Sequence, residues 1–71
     1  MTRGTTATTA LIEERGSLQL LQENGVLLVR LRDAPRHVDT LSTARRWHSV
    51  DGVRLNGSQA MTVKAWAEEN A

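Results

Sequence analysis

Ser17 to Arg32 read SLQLLQENGVLLVRLR, and this stretch decides the fold of the chain. Two apolar runs flank the dipeptide Asn24-Gly25. Both turn residues tolerate the positive φ that a two-residue type I′ turn requires, so Asn-Gly between apolar runs is the strongest short-range signal for a β-hairpin. The stretch therefore predicts an antiparallel hairpin over about 17–32, around which a small antiparallel sheet is built.

The two faces of this hairpin differ in composition. With an Asn-Gly turn, one face is apolar throughout and is the predicted core: Leu18, Leu20, Leu27, Val29 and Leu31. The other face mixes polar side chains with Leu21, Val26 and Leu28. An antiparallel sheet with one wet face alternates more cleanly than this. These three residues are therefore predicted to lie either beneath the chain's own helices or against another molecule.

Two segments precede the hairpin. Residues 10–15, ALIEER, are too few for periodicity to separate helix from strand. We predict a strand because a hairpin follows directly; the alternative is a short helix between Thr9 and Gly16. Residues 1–9, MTRGTTATT, are small, polar and aperiodic. They predict an N-terminal arm, which is either a flexible tail or an extended segment that orders on a partner.

A first helix is predicted over about 39–50. Pro35 ends the hairpin because proline cannot donate to a strand ladder. Asp39 or Thr40 is suited to the N-cap of the helix, and Asp51-Gly52 to its end. Helical spacing gives this segment one apolar face, made of Leu41, Ala44, Trp47 and His48.

A second helix is predicted over about 58–70, after a short strand candidate at 53–55 and a turn at Asn56-Gly57. Ser58 is the predicted N-cap. The apolar face of this helix consists of Ala60, Val63, Trp66 and Ala67. Alternation of apolar residues leaves a strand over 60–66 as the alternative.

These elements together predict an α+β fold, with a small antiparallel sheet built on the hairpin, two short helices and an extended N-terminal arm. The 71 residues allow one domain, which we place at 10–71 behind the arm at 1–9. A core this small is marginal for a free monomer, and the chain has no cysteine with which to form disulfides. Association with another chain is therefore expected.

Several classes of function find no support in the sequence. It has no apolar stretch of roughly 20 residues for a membrane span and no apolar N-terminal region typical of a secretory signal, so a cytoplasmic or virion location is expected. The spacings His37-x-Asp39 and His48-x-x-Asp51 match no metal-site signature, and neither phosphate-binding glycine motifs nor a G-x-S-x-G elbow occurs. We expect no metal, no cofactor and no enzymatic activity.

The function favoured by these patterns is that of a small structural or interaction protein. It would be an accessory subunit of a larger protein assembly, for example a capsid decoration or minor virion protein of a phage, and a homo-oligomer is one form of that assembly. The apolar residues on the mixed hairpin face and the threonine-rich arm are the features behind this prediction. The predicted interface residues are Thr5, Thr6, Thr8, Thr9, Leu21, Val26, Leu28 and Arg30.

The alternative function is that of a small DNA-binding regulator of the helix-turn-helix type, with 39–50 as the first helix and 58–70 as the reading helix. Arg45-Arg46-Trp47-His48 is the densest basic and aromatic cluster in the chain. The residues that would face phosphate are Arg45, Arg46, Arg54 and Lys64. The formal net charge is +1, and Glu68-Glu69 lie at the end of the reading helix, so nucleic acid is the less favoured partner.

Overall fold

A computed structural model of the chain describes residues 9–70. A four-stranded antiparallel sheet has the order β1-β2-β3-β4, in which each strand pairs with the next along the chain. Its strands are β1 (Ala10–Arg15), β2 (Leu18–Glu23), β3 (Val26–Leu31) and β4 (Ala34–Thr40). A second sheet pairs β5 (Ser49–Val50) with β6 (Val53–Arg54), and the helices are α1 (Leu41–Trp47) and α2 (Gly57–Glu69). The predicted α+β class is confirmed.

The hairpin of β2 and β3 has the predicted turn. Asn24 and Gly25 have φ values of 53° and 79°, which is the pair of positive angles that a type I′ turn needs. Leu20 lies opposite Val29, and Glu23 lies opposite Val26. This register places the apolar face of the hairpin on one side of the sheet, as predicted.

The segment 10–15 forms the predicted strand rather than the alternative short helix. β1 pairs with β2 and lies at the edge of the sheet. Its register shifts between Leu11 and Glu13, where Ile12 is the extra residue of a β-bulge. The bulge brings Glu13 to the face of the sheet on which Leu20 lies, where its carboxylate accepts a hydrogen bond from Trp66 of α2.

The strand β4 was not predicted from the sequence, and it shortens the first helix. Proline is tolerated on an edge strand, where its missing N–H costs no ladder bond. Pro35 lies in this edge strand, at an irregularity where the register moves from Arg30–Val38 to Leu31–Ala34. The strand then continues to Thr40, so α1 begins at Leu41 and not at 39. Thr40 is the N-cap, and its hydroxyl accepts a hydrogen bond from the Thr43 N–H at 3.1 Å.

The end of the first helix also differs from the prediction. α1 ends at Trp47, and His48 takes the left-handed conformation with φ 55°. The chain then forms the β5–β6 hairpin, whose turn residues Asp51 and Gly52 have φ values of 51° and 81°. Asp-Gly is therefore the type I′ turn of a second hairpin rather than the end of a helix over 39–50.

The second helix is confirmed as a helix, although its cap lies two residues earlier than predicted. Asn56 is the N-cap, because its side chain accepts from the Gln59 N–H at 2.8 Å. The Gln59 side chain in turn accepts from the Asn56 N–H at 2.9 Å, which completes a capping box. Asn56-Gly57 therefore starts the helix instead of forming a separate turn, and Ser58 lies inside its first turn.

Both helices pack on the apolar face of the sheet. The buried core combines three residues of the hairpin with residues of both helices and of the small second sheet: Leu18, Leu20, Val29, Leu41, Ala44, Val50, Leu55, Val63 and Trp66. Leu27 and Leu31 pack against this core while remaining partly exposed. The predicted core face of the hairpin is confirmed, whereas the predicted arm over 1–9 falls, apart from Thr9, outside the described residues.

Candidate interaction surface

An open groove lies between the end of the β2–β3 hairpin, α1 and α2. Its volume is about 1200 Å³. Typical small-molecule pockets are closed clefts of roughly 300–1,000 Å³, so this groove is better matched to a segment of a macromolecule. Its walls are formed by Gly25 and the start of β3, by most of α1, and by one side of α2.

Two large apolar side chains in this groove face solvent: Trp47 is 68% exposed and Met61 73%. Val26, which is 47% exposed, also borders the groove, but its side chain belongs to the mixed face of the hairpin, on the side of the sheet away from the helices. Met61 lies on the side of α2 opposite to the buried pair Val63 and Trp66, at the helical spacing of an outward face. Large apolar side chains that converge on one concave surface are typical of binding sites rather than of ordinary protein surface.

The exposure of Trp47 corrects a sequence-based expectation. The sequence places Trp47 on the apolar face with Leu41 and Ala44, both of which are buried. Because α1 ends at Trp47, the chain turns away and supplies Val50 and Leu55 to the core instead. The indole is left at the surface, with the guanidinium carbon of Arg46 at 6.0 Å from its ring centroid.

The rim of the groove is basic. Arg45, Arg46 and Lys64 line it and are exposed, and His48 lies beside them. Arg45 and Arg46 belong to the last turn of α1, where cations interact favourably with the helix dipole. None of the three forms a salt bridge with a carboxylate within residues 9–70. Their charges therefore face solvent across the groove.

A smaller groove adjoins the first one and shares Trp47, His48 and Ala60 with it. Arg54 lines this second groove, next to Leu55 and Asn56. All four residues of the nucleic-acid alternative therefore border one continuous surface. No aspartate or glutamate lines either groove in the part of the chain that the structure describes.

The acidic residues lie elsewhere and several have partners. Glu13 and Glu69 both contact Arg15, and Asp33 lies 3.5 Å from Arg32. The groove thus has a basic rim on a chain whose formal net charge is only +1. The composition does not show this rim, because it depends on how α1 and α2 are placed.

Histidine and aspartate meet at a separate point beside β4. His37 Nδ1 lies 3.1 Å from Asp51 Oδ2, and the Asp51 N–H donates to Asp39 Oδ2 at 3.0 Å. These contacts tie the second hairpin to the edge of the large sheet. Across residues 9–70 there is no group of three histidine, cysteine or acidic residues arranged to hold a metal ion.

The predicted interface residues on the mixed hairpin face are distributed unevenly. Leu21 is only 2% exposed, although it is not part of the core formed with the helices. Leu28, its neighbour across the ladder, is half-buried, and Val26 borders the groove. Within β2 and β3 themselves, the most exposed large apolar side chain is therefore Val26, at the turn end of the hairpin.

The polar members of the predicted interface form local hydrogen bonds. Arg30 Nε donates to the Gln19 side-chain oxygen at 2.8 Å across the ladder. Thr9 Oγ1 donates to Glu23 Oε2 at 3.3 Å. Thr5, Thr6 and Thr8 lie outside the described residues.

Met61 is a groove residue that the sequence analysis did not identify, and Trp47 is one that it named in a basic and aromatic cluster but assigned to the apolar face of the first helix. A helical wheel of α2 would have identified Met61, because it lies opposite Val63 and Trp66. The sequence has no comparable signal for the exposure of Trp47, since that exposure depends on where α1 ends.

Within residues 9–70, neither helix has the length and apolar character needed to cross a membrane.

Comparison of the chain with protein-family models, with curated proteins and with solved structures gives no match.

Proposed function

We propose that this protein is a non-enzymatic interaction protein, an accessory subunit that binds protein surfaces within a larger assembly. A phage capsid decoration or a minor virion protein is an example of such a subunit, located in the virion or in the cytoplasm. The observation that carries the proposal is the exposure of two large apolar side chains, Trp47 and Met61, in one open groove. Side chains of this kind become energetically favourable when a partner removes them from water.

The composition of the groove matches that of protein interfaces. Tryptophan, methionine and arginine are enriched where proteins bind one another, while lysine and acidic residues are depleted at the centre. Trp47 and Met61 supply the apolar centre, with Arg45 and Arg46 at the rim. A buried tryptophan at such a centre is a frequent hot spot, whose truncation costs about 2 kcal/mol of binding free energy or more.

The mass of the chain in solution across a wide range of concentration tests this proposal. A subunit of an assembly is expected to associate as concentration rises, and its denaturation midpoint should rise in parallel. Iodide quenching of tryptophan fluorescence should fall on association, because Trp47 is exposed and Trp66 is buried. A chain that remains a 7.9 kDa monomer at all concentrations, with an unchanged midpoint, would contradict the assembly role.

A second candidate function is DNA binding, and the basic rim is the observation that favours it. Arg45, Arg46 and Lys64 face solvent around an exposed tryptophan that can stack on a base. The β5–β6 hairpin separates α1 from α2, in place of the tight turn of a helix-turn-helix unit. In this candidate the groove itself contacts phosphate, and α2 does not act as an inserted reading helix.

Fluorescence anisotropy of labelled duplex and single-stranded oligonucleotides, measured at increasing salt, tests the second candidate. Each phosphate contact on duplex DNA contributes a slope of about −0.9 to log K against log salt. Three to four contacts would therefore give a slope near −3, and Lys64→Gln should reduce it by about one. Absence of binding at low salt removes this candidate.

A further inference from the structure

Four of the five exposed large apolar side chains of residues 9–70 form two patches, and the fifth, Val26, lies on the mixed face of the hairpin. The first patch is the groove, with Trp47 and Met61. The second, here called the β1 patch, consists of Leu11 and Ile12, which are 55% and 50% exposed. A protein that exposes two apolar patches can bury both at once when the patch of one copy meets the groove of another.

The two patches carry opposite charge. The groove has Arg45, Arg46 and Lys64 at its rim and no carboxylate among its described lining residues. The β1 patch is followed directly by Glu13 and Glu14. Glu14 is exposed, and its carboxylate accepts from the neutral amide of Gln19 at 2.9 Å. No cation therefore neutralises Glu14 through a salt bridge within the described chain.

The nearby cation Arg15 does not cancel this negative charge. Its guanidinium forms salt bridges with Glu13 and with Glu69, the latter at 2.9 Å between Nη2 and Oε1. Arg15 is thus outnumbered by the carboxylates around it. The β1 patch presents two apolar side chains beside negative charge, and the groove presents two apolar side chains beside positive charge.

The position of the β1 patch makes it accessible. β1 is an edge strand of the four-stranded sheet, so one side of it is not paired with another strand of that sheet and is open to another chain. The bulge at Ile12 interrupts the regular ladder, which disfavours simple continuation of the sheet by a second edge strand. A partner at this edge would therefore contact the side chains of β1 more than its backbone.

We propose that the groove takes the β1 patch of a second copy of this chain. Leu11 and Ile12 would pack against Trp47 and Met61, while Glu14 would face the basic rim. The inference rests on the proposed interaction function and names its partner. Since the two surfaces differ, a dimer still has one free groove and one free β1 patch, so the assembly grows into a ring or an open chain.

Charge reversal tests this pairing by sedimentation of the full chain. Glu14→Lys and Lys64→Glu should each weaken self-association by about tenfold, because each puts like charges across the contact. The double variant carrying both changes should recover most of the loss, since the pair is restored with its signs exchanged. Glu68→Lys and Arg36→Glu are matched controls, because both residues are exposed and lie outside the groove and the β1 patch.

A mixing experiment tests the head-to-tail arrangement. Ile12→Asp blocks the β1 patch and leaves the groove intact, whereas Met61→Asp does the reverse. Each variant alone should stay monomeric, and an equimolar mixture should form a one-to-one dimer that grows no further. A mixture that stays monomeric overturns the inference, as does association of either variant alone. Circular dichroism of each variant confirms that it is folded.

The outcomes separate this inference from the proposed function. If the wild-type chain associates and the charge reversals do not change its affinity, the β1 contact is wrong and the interaction function stands. If the wild-type chain is monomeric at every concentration, both fail. A monomer that binds an oligonucleotide, with affinity lost in Lys64→Glu, would replace both with the nucleic-acid function.

Discussion

The indole Nε1 of Trp66 donates a hydrogen bond to Oε1 of Glu13 at 3.2 Å, across 53 positions of sequence. Trp66 is fully buried in α2, and Glu13 lies on the edge strand β1. Arg15 lies over the same indole, with its guanidinium carbon 5.6 Å from the ring centroid, and also contacts Glu13. A buried indole N–H usually has a hydrogen-bond partner, and here that partner is on β1, so the contact joins α2 to β1.

This contact makes stability depend on pH in a defined direction. The hydrogen bond from Arg15 lowers the pKa of Glu13 below its ordinary value of 4.5, with the Trp66 hydrogen bond adding to the effect. Glu13 is therefore protonated at lower pH in the folded chain than in the unfolded chain. Its contribution to stability is complete above the unfolded pKa and is lost as pH falls through the folded pKa.

Urea unfolding of the wild type and of Glu13→Gln, over a series of pH values, measures this dependence. The wild type should be the more stable of the two near neutral pH, and the difference should shrink below about pH 4.5. Arg15→Gln should weaken the dependence in the same way, because it removes the first cause of the lowered pKa. Arg36→Gln removes an exposed cation on β4 and should leave the pH dependence of stability unchanged. A constant difference down to low pH would contradict the assignment.

The two tryptophans should respond very differently to truncation. Trp66 is fully buried in the core, so Trp66→Ala should cost about 3–5 kcal/mol of unfolding free energy. Trp47 is mostly exposed, so Trp47→Ala should change the stability of the monomer by about 0.5 kcal/mol or less. Denaturant unfolding at high dilution provides both values. Equal losses would mean that Trp47 belongs to the core after all.

The sequence predicts the fold well where a local rule decides the structure. Asn24-Gly25 between apolar runs determines the turn, the register and the buried face of the hairpin, because a two-residue turn leaves one pairing. The same rule applies to Asp51-Gly52, but there the sequence also fits the end of a helix over 39–50. β5 and β6 have two residues each, which is too few to show a strand pattern, so tertiary pairing decides between the helix and the hairpin.

The candidate surface was harder to predict than the fold. Its apolar residues come from the hairpin turn, the end of α1 and the outer side of α2, which no spacing in the sequence connects. Arg45, Arg46 and Lys64 were identified as basic residues, but their meeting around one groove depends on the packing of α1 against α2. Trp47 was assigned to the core because helical spacing gives a face and does not give the residue at which a helix ends.

Two glycines that both face open space should behave in opposite ways. Gly25 has φ 79°, and Gly57 does not have a positive φ. Gly25→Ala should therefore cost about 1–2 kcal/mol through backbone strain. Gly57→Ala should stabilise the chain by about 0.4–1 kcal/mol, since alanine fits the helical conformation and restricts the unfolded chain. Thermal unfolding of the two variants checks the difference in sign, and a loss of equal size in both would contradict it.

The N-cap of α2 provides a direct comparison between the position expected from sequence and the position found. The Asn56 side chain accepts from the Gln59 N–H, and the Asn56 N–H donates to the Gln59 side-chain oxygen, so Asn56→Ala should cost about 1 kcal/mol. Ser58 lies inside the first turn of the helix, where alanine has the higher helix propensity. Ser58→Ala should therefore be neutral or slightly stabilising. Urea unfolding of the two variants settles which residue caps the helix. A larger loss of unfolding free energy in Ser58→Ala than in Asn56→Ala would place the start of α2 at Ser58. The groove wall that Met61 and Lys64 form would then be shifted as well.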